Sequence, residues 1–200
     1  GEFNTNFGAS VSLPADGNTV ANGAPFSDEN GNNTGHVRVY ENVSGVWTQI
    51  GANIVGEAGG DRSGYYIALS GDASRVAIGA YQNDANGSNA GQVRVYQNVS
   101  GTWTQIGADI DGEAAADYFG YSVAMSGDGS IMAAGAYHND GNGASSGHVR
   151  VFDLTAVLAS DSFVQANFVV YPNPSNGIVN IASENNLQLQ TVNFYNQLGQ

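Results

Sequence analysis

The chain has 200 residues, of which 42% are hydrophobic, and its 28 glycines are about twice the usual share, which indicates a packed core with many turns. Its 18 acidic and 5 basic residues give a formal net charge of −13, so nucleic acid and acidic membrane surfaces are poor partners. The absence of cysteine excludes disulfides and thiolate metal sites, and no run approaches the ~20 apolar residues of a membrane-spanning helix.

Most of the chain is built from an internal repeat. Residues 35–58 and 91–114 are identical at 19 of 24 positions. Gly8, Gly64 and Gly120 are separated by the same number of residues as the starts of these two segments. Because repetition at a fixed period defines the architecture before any local prediction, each repeat is expected to form one supersecondary unit.

Four short strands are predicted within one repeat, because β-rich segments alternate with clusters of Gly, Asn, Asp and Ser. In the middle repeat these strands are 65–70, 75–80, 92–97 and 102–107.

This pattern predicts an all-β fold, a partial β-propeller of three four-stranded blades, over residues 1–155. The blades are expected at about 7–62, 63–118 and 119–153. A β-solenoid is the alternative, although its coils are usually shorter. Glycine in the second strand of each repeat indicates a close approach of another backbone. Trp47 and Trp103, in the outer strands, are expected to be buried in equivalent environments.

The glycines also carry a family resemblance. Residues 7–25 resemble the FG-GAP repeat, known from the integrin α-subunit propeller, in their Phe-Gly and Gly-Ala-Pro signatures. The later copies are looser, with Ser63-Gly64 and Phe119-Gly120 at the first signature. A bacterial variety of this repeat also carries the "VRVY…W.QIG" half seen here. The resemblance covers residues 1 to about 153 and implies a propeller fold, but it says little about the ligand.

The repeat pattern ends within the third repeat, where Ala159 occupies the position at which a third Trp is expected. Residues 163–200 resemble the C-terminal sorting domain of proteins exported by the type IX secretion system of Bacteroidetes. The resemblance rests on Tyr171-Pro172-Asn173-Pro174, Ser175-Asn176-Gly177 and residues 192–200.

The resemblance implies the start of a small β-sandwich, with a turn at Asn176-Gly177 before a strand at 178–182. It also implies secretion or cell-surface display, with the type IX machinery as a partner. A plain linker into an unrelated β-sandwich is the alternative. Since three blades do not close a propeller and the tail is about half the family's usual length, the sequence is interpreted as a fragment of a longer protein.

A loop of the form Asp-x-Asn-Gly recurs in each repeat and is a candidate calcium site. Its residues are Asp28 and Asn30, Asp84 and Asn86, and Asp140 and Asn142. A loop that binds a hard cation typically begins with oxygen ligands at this spacing, followed by a glycine. No acidic residue occupies the twelfth position, however, and the same residues favour turns without any metal. Both interpretations stay open.

Two further sets of residues have two interpretations each, and a third set has one. Arg38, Arg94 and Arg150 either pair with acids such as Glu57 and Glu113 or form a ring that faces a ligand. Tyr81 and Tyr137 either stack on sugars or end their strands. His36 and His148 are assigned to packing, because Gln92 occupies their position in the middle repeat.

Nearly every polar residue recurs with the repeat, so no unique nucleophile, base or metal triad emerges. The sequence therefore predicts an exported, non-enzymatic binding or adhesion module, with a glycan or a surface protein as its ligand. The alternative is an accessory region that displays or anchors a secreted hydrolase lying upstream. A passive surface spacer is a third hypothesis.

Overall fold

The computed structural model describes residues 4–155, 168–171 and 180–183. The chain divides into two compact units, Gly1–Ser162 and Phe163–Gln200. Within the described residues there is no α-helix, and the regular elements are β-strands in antiparallel pairs, which confirms the all-β class. None of those residues belongs to a helix that would reach across a lipid bilayer.

The described residues of the first unit form three sheets. The first sheet consists of β1 (Ser10–Ser12), β2 (Thr19–Ala24), β3 (His36–Val43), β4 (Val46–Gln49) and β5 (Ile54–Val55). The second sheet consists of β6 (Tyr66–Leu69), β7 (Arg75–Ala80), β8 (Gln92–Val99), β9 (Thr102–Gln105) and β10 (Ile110–Asp111). The third sheet consists of β11 (Phe119–Met125), β12 (Ile131–Ala136) and β13 (His148–Asp153).

Two strands of these sheets, β5 and β10, were not predicted. β3 pairs with β4 through its second half, Tyr40–Val43, and with β5 through its first half, His36–Val37. β8 is shared in the same way between β9 and β10. The first two sheets therefore have five strands each, where four were expected, and the third has three among the described residues.

The three sheets pack on one another through equivalent residues. Ala21, Val37 and Val39 of the first sheet lie in one core with Ile67 and Leu69 of the second sheet. The next core repeats this arrangement with the counterparts of these residues one repeat later, namely Ala77, Val93, Val95, Val123 and Met125. Burial of these apolar faces is the main favourable contribution to the stability of the first unit.

Glycine in the second strand has the predicted role. A Cβ atom on Gly23 would clash with the carbonyl oxygen of Gly64, and one on Gly79 would clash with that of Gly120. Each of these glycines lets the segment at the start of the next sheet approach its backbone closely, which explains why a residue that weakens strands is used there.

The two tryptophans, by contrast, are not equally buried, so that prediction was wrong. Trp103 is half-buried and packs against the core between the first two sheets, together with Ile50. Trp47, at the same position of the preceding repeat, is 47% exposed. The physical reason is that Trp103 is covered by the first sheet. Trp47 is exposed because no described sheet precedes the first sheet.

In the second unit, β14 (Phe168–Tyr171) pairs antiparallel with β15 (Asn180–Ser183). The strand predicted at 178–182 is thus observed in part, as β15. Pro172, Pro174 and the turn predicted at Asn176-Gly177 lie outside the described residues.

Candidate functional site

A cluster of aromatic side chains spans the second and third sheets. We refer to it as the tyrosine cluster; its members are Tyr65, Tyr66, Tyr81, Tyr118, Tyr121 and Tyr137. The repeat accounts for most of it, since Tyr121 and Tyr137 are the counterparts of Tyr65 and Tyr81 in the next repeat. Sequence reasoning singled out Tyr81 and Tyr137 but missed the other four, because they meet only when the two sheets lie side by side.

Within the tyrosine cluster the rings contact one another edge to face, at a tilt or stacked. The ring centroids of Tyr65 and Tyr81 are 4.7 Å apart, and those of Tyr121 and Tyr137 are 4.4 Å apart. Tyr66 lies 4.9 Å from Tyr121 and so connects the two sheets. Such arrangements bring the positive ring edge to the negative ring face and stabilise the pair beyond simple burial.

The pKa values of two hydroxyl groups of the tyrosine cluster are raised. Burial, followed by a hydrogen bond with Tyr121, raises the pKa of Tyr66. Burial and the neighbouring Tyr121 also raise the pKa of Tyr137. A guanidinium Nη1 of Arg62 donates a hydrogen bond to the hydroxyl oxygen of Tyr81 at 2.8 Å. Tyr66 and Tyr137 are therefore neutral rings whose hydroxyls can donate and accept hydrogen bonds.

Access to the tyrosine cluster is greatest on the third sheet. The side chain of Tyr137 is 45% exposed, and those of Tyr118 and Tyr121 are half-buried. His138 adds an imidazole ring 4.2 Å from that of Tyr137. Aromatic rings beside a few polar groups are the usual lining of a small-molecule site.

The Asp-x-Asn-Gly loops are tight turns in the structure. Oδ1 of Asp28 accepts a hydrogen bond from the backbone N–H of Asn33 at 2.8 Å. Asp84 accepts the equivalent bond from Asn89 at 2.7 Å, and Asp140 accepts it from Ser145 at 2.6 Å. A carboxylate that caps its own loop in this way stabilises the turn without a metal.

The asparagines of the first two loops bind each loop to a neighbouring backbone segment. Nδ2 of Asn30 donates to the carbonyl oxygens of Gly56 and Glu57, at 3.2 and 3.0 Å. Asn86 repeats both bonds in the second sheet, with Gly112 and Glu113. Across the described ranges, the side chains of His, Asp and Glu do not gather in a group of three suited to a metal. Calcium binding by these loops, including Asn142, stays a prediction.

The arginines of β8 and β13 pair with acids, as one of the two interpretations predicted. Arg94 lies 3.6 Å from a carboxylate oxygen of Glu57 and also donates to the carbonyl oxygen of Val55 at 3.0 Å. Arg150 lies 3.8 Å from Glu113 and donates to a backbone carbonyl at 2.7 Å. In each case the acid belongs to the preceding repeat, so the pair joins neighbouring sheets.

His36 forms the contacts that most resemble a catalytic group. Its Nδ1 atom lies 2.9 Å from Oγ of Ser27 and 3.2 Å from a carboxylate oxygen of Glu29. In a Ser-His-acid triad the hydroxyl and the carboxylate contact opposite ring nitrogens, so that the base can take one proton while it is held by the other. Here both contact the same nitrogen, and Ser27 and His36 are buried. The arrangement fits the packing role that the sequence predicted.

Two family matches cover separate parts of the chain. Residues 106–152 match the FG-GAP repeat, and residues 169–200 match the secretion system C-terminal sorting domain. Both resemblances found in the sequence are confirmed. The sorting domain directs the protein to the type IX secretion machinery, so the protein is secreted or displayed at the cell surface.

Two solved structures are similar to the chain. A periplasmic gluconolactonase from Pseudomonas aeruginosa shares 17% identity over 66% of this chain and 37% of its own, with a TM-score of 0.43. A putative 6-phosphogluconolactonase from Bacteroides uniformis shares 12% identity over 86% of this chain and 39% of its own, with a TM-score of 0.47. The chain thus spans less than two thirds of either protein. No curated protein sequence matches it.

Proposed function

We propose that this exported chain, with its FG-GAP repeat and its sorting domain, is a non-enzymatic binding module whose ligand is a neutral glycan. The sheets of the first unit form part of a β-propeller in this proposal. The observation that carries the proposal is the tyrosine cluster, which brings together six rings from two sheets and exposes Tyr137 most.

The chemistry of the tyrosine cluster suits a sugar. A pyranose ring has apolar C–H faces that pack on an aromatic ring, and hydroxyls at its rim that need hydrogen-bond partners. Tyrosine offers both a ring face and a hydroxyl. Because the whole chain carries a formal charge of −13, an anionic glycan would be repelled, and this favours an uncharged one.

The residues of the tyrosine cluster are also positioned by rigid β-strands. Tyr66 lies in β6 and Tyr121 in β11, while Tyr81 and Tyr137 follow directly after β7 and β12. Binding residues at the ends of strands lose little conformational freedom when a ligand binds, which reduces the entropic cost of association.

The arrangement of the polar groups described above is the reason for proposing a binding role. Acyl transfer or hydrolysis needs a nucleophile within hydrogen-bond reach of a base, with room for a substrate between them and stabilising donors. Ser27 and His36 are buried, and Arg94 and Arg150 are held by acids. The exposed surface near the tyrosine cluster offers rings and hydroxyls that suit binding.

The test is a titration of the purified chain with neutral polysaccharides and their oligosaccharides by isothermal calorimetry. We expect Tyr137→Ala to weaken binding by at least about tenfold, since it removes about 1.4 kcal/mol or more of contact. Tyr137→Phe should retain most of the affinity through its ring. Trp47→Ala is the matched control, because Trp47 is exposed to the same degree but lies outside the cluster. Equal affinities of the wild type and Tyr137→Ala would refute the proposed site.

A further inference from the structure

A small cavity lies at the junction of the first two sheets and has a volume of about 170 Å³. One wall is formed by residues 52–55, which lead into β5 and include it. The other wall is formed by Tyr96 of β8 and by Thr102 and Trp103 of β9. We call this space the junction cavity. Because a described sheet bounds it on each side, it does not depend on what adjoins the first or the third sheet.

The hydroxyl of Tyr96 lacks a partner within the protein. The side chain is only 8% exposed, yet this hydroxyl makes no hydrogen bond with any residue that the structure describes. Its oxygen is not fully enclosed, so it reaches the open space of the junction cavity. Burial raises the pKa of Tyr96 above its ordinary 10.0, so at neutral pH the hydroxyl can both donate and accept. Since buried polar groups normally have a partner, the group that satisfies Tyr96 is one that occupies the junction cavity.

Two further groups in the walls can bind a hydroxylated ligand. Oδ1 of Asn53 accepts hydrogen bonds from Nε of Arg38 at 2.9 Å and from Nε2 of Gln49 at 3.0 Å. Its Nδ2 atom donates to a carboxylate oxygen of Glu29 at 2.8 Å, which leaves one N–H of the amide without an acceptor in the described part of the chain. Thr102 adds an exposed hydroxyl. The junction cavity therefore offers two hydroxyls and an amide N–H.

The indole of Trp103 supplies an apolar surface whose position is fixed before any ligand binds. Its Nε1–H is donated to the carbonyl oxygen of Ile50 at 3.1 Å, which sets the orientation of the ring. The side chain is half-buried, so part of the indole stays open in the junction cavity. A ring held in this way loses little conformational freedom when a ligand packs on it.

The charges around the junction cavity favour an uncharged ligand. Among the described residues that line it, none carries a charge. The guanidinium of Arg94 lies 5.6 Å from the centre of the Tyr96 ring and opposes a second cation there. Glu57 and Asp109, whose charges contribute to the raised pKa of Tyr96, oppose an anion, as does the formal charge of −13 on the chain.

We infer that the junction cavity binds one uncharged sugar ring, with an apolar face of the ring against the indole of Trp103 and a ring hydroxyl hydrogen-bonded to Tyr96. The junction cavity is smaller than the roughly 300–1,000 Å³ of sites for larger ligands, so it holds one ring and not a chain of rings. Phe152 and Ala159 are the counterparts of Tyr96 and Trp103 in the next repeat, so the repeat does not carry both groups to the next junction.

The junction cavity is separate from the tyrosine cluster. Gln92 pairs with Ala80, which directly precedes Tyr81 of that cluster. Tyr96 lies four residues further along β8, roughly 13 Å from Gln92 at the usual rise of a strand. The inference therefore does not depend on glycan binding by the tyrosine cluster.

The test is tryptophan fluorescence of the full chain with Trp47→Phe, in which Trp103 is the one remaining tryptophan. We expect neutral hexoses and N-acetylhexosamines to change its emission, with saturation in the millimolar range. Tyr96→Phe should weaken binding about tenfold, because it removes the hydrogen bond but keeps the ring. Tyr40→Phe is the matched control and should bind like the parent, since Tyr40 has the same position in the preceding repeat but does not line the junction cavity.

Urea unfolding separates a ligand-binding role of the Tyr96 hydroxyl from a structural one. Because this hydroxyl has no partner among the described residues, Tyr96→Phe should have a urea midpoint equal to or above that of the parent. A clear fall in the midpoint would overturn the inference.

Three binding results would also overturn it: no saturable change with any neutral sugar, equal affinity of Tyr96→Phe and the parent, or saturable binding of tetramethylammonium or acetate. Tighter binding of disaccharides than of monosaccharides would support a ring at the end of a chain, and equal affinity would support a free sugar. The emission of Trp103 reports on the junction cavity, so a failure of the tyrosine cluster to bind a glycan would leave these results unchanged.

Discussion

The indole Nε1 of Trp103 donates a hydrogen bond to the carbonyl oxygen of Ile50 at 3.1 Å. Trp103 belongs to β9 of the second sheet, and Ile50 follows β4 of the first, so this one bond joins two sheets across a half-buried contact. Gly51 lies beside it, since a Cβ atom there would come within 3.4 Å of the indole ring.

This bond predicts unequal effects of the same substitution at two equivalent positions. Trp103→Phe keeps an aromatic ring but removes the donor, so we expect the free energy of unfolding to fall by about 1 kcal/mol. Trp47→Phe, at the exposed position, should change it by less than about 0.5 kcal/mol. Urea unfolding of both variants, followed by circular dichroism, measures the difference. Equal losses would show that the two tryptophans have equivalent environments in solution.

The part of the fold that the sequence predicted is the part that depends on local pattern. The strands β7 and β8 each show apolar alternation bounded by turn residues, and both were placed within two residues. β5 and β10 were missed because two residues cannot display a period, and their pairing depends on the free edge that β3 and β8 leave beyond β4 and β9. The burial of Trp47 was also unpredictable, since it depends on which sheet lies next to it.

The candidate site was predicted only in outline. Tyr81 and Tyr137 stood out because they recur at one position of the repeat. Tyr66 and Tyr118 have Ser10 and Asn6 as counterparts in the first repeat, so no recurrence marks them. Their contribution arises from the packing of the second sheet on the third, which sequence spacing alone does not describe.

A buried acid in the first unit predicts a dependence of stability on pH. Asp61 is buried, and its Oδ2 accepts hydrogen bonds from Nδ2 of Asn83 and from the backbone N–H of Ala58, each at 3.0 Å. Burial raises the pKa of Asp61 above its ordinary 3.8 despite these bonds. The folded chain therefore binds a proton in a pH range where the unfolded chain has lost it, and stability falls as pH rises through that range.

Asp61→Asn keeps the acceptor oxygen but cannot ionise, so it should remove this fall. We expect the variant to gain stability relative to the wild type as pH increases from about 4 toward neutrality, with little difference below the ordinary pKa of the acid. Urea midpoints measured at a series of pH values test this. A constant difference between the two proteins across that range would contradict it.

An exposed acid in the turn before β12 predicts the opposite behaviour. Asp128 accepts hydrogen bonds from Oγ of Ser126 at 2.6 Å and from the backbone N–H of Ser130 at 3.0 Å. These bonds, with that of the Ser126 hydroxyl the strongest, lower the pKa of Asp128 from 3.8 to about 2. The stabilisation that they give the ionised carboxylate is present above pH 3.8, and it is lost as pH falls toward 2.

Carboxyl-carbon NMR titration measures this directly. We expect Ser126→Ala to raise the pKa of Asp128 toward its ordinary value, because the strongest of the hydrogen bonds to the carboxylate is removed. Ser88→Ala, in a different loop, is the control and should leave it unchanged. An unchanged pKa in Ser126→Ala would show that this hydroxyl does not stabilise the charge.

The calcium prediction has a test that separates the metal from the turn. If the Asp-x-Asn-Gly loops bind calcium, the ion stabilises the folded state, by about 2.7 kcal/mol at a concentration one hundred times its Kd. Asp84→Asn keeps an oxygen that can accept the hydrogen bond from Asn89 but removes the charge that a hard cation needs. We expect this variant to melt like the wild type without calcium. A calcium-induced rise in Tm that all three Asp→Asn substitutions together abolish would support a metal site, and no rise in the wild type would exclude one.

The sorting domain leads to a prediction about the second unit. An export machinery must recognise something that the repeats lack, and β14 with β15 forms a backbone ladder in the matched region, for example between Val170 and Ile181. Neighbouring residues of an antiparallel strand point their N–H groups to opposite sides, so proline at both Val169 and Val170 removes at least one donor to β15. With a signal peptide fused to the chain and expression in a host with the type IX system, we expect this double variant to accumulate in the periplasm.

Trp47→Phe, altered only in the first unit, should be exported like the wild type. Equal export of the double-proline variant would show that the machinery does not require this ladder, whereas loss of export on deletion of residues 169–200 would still place the signal within the matched segment.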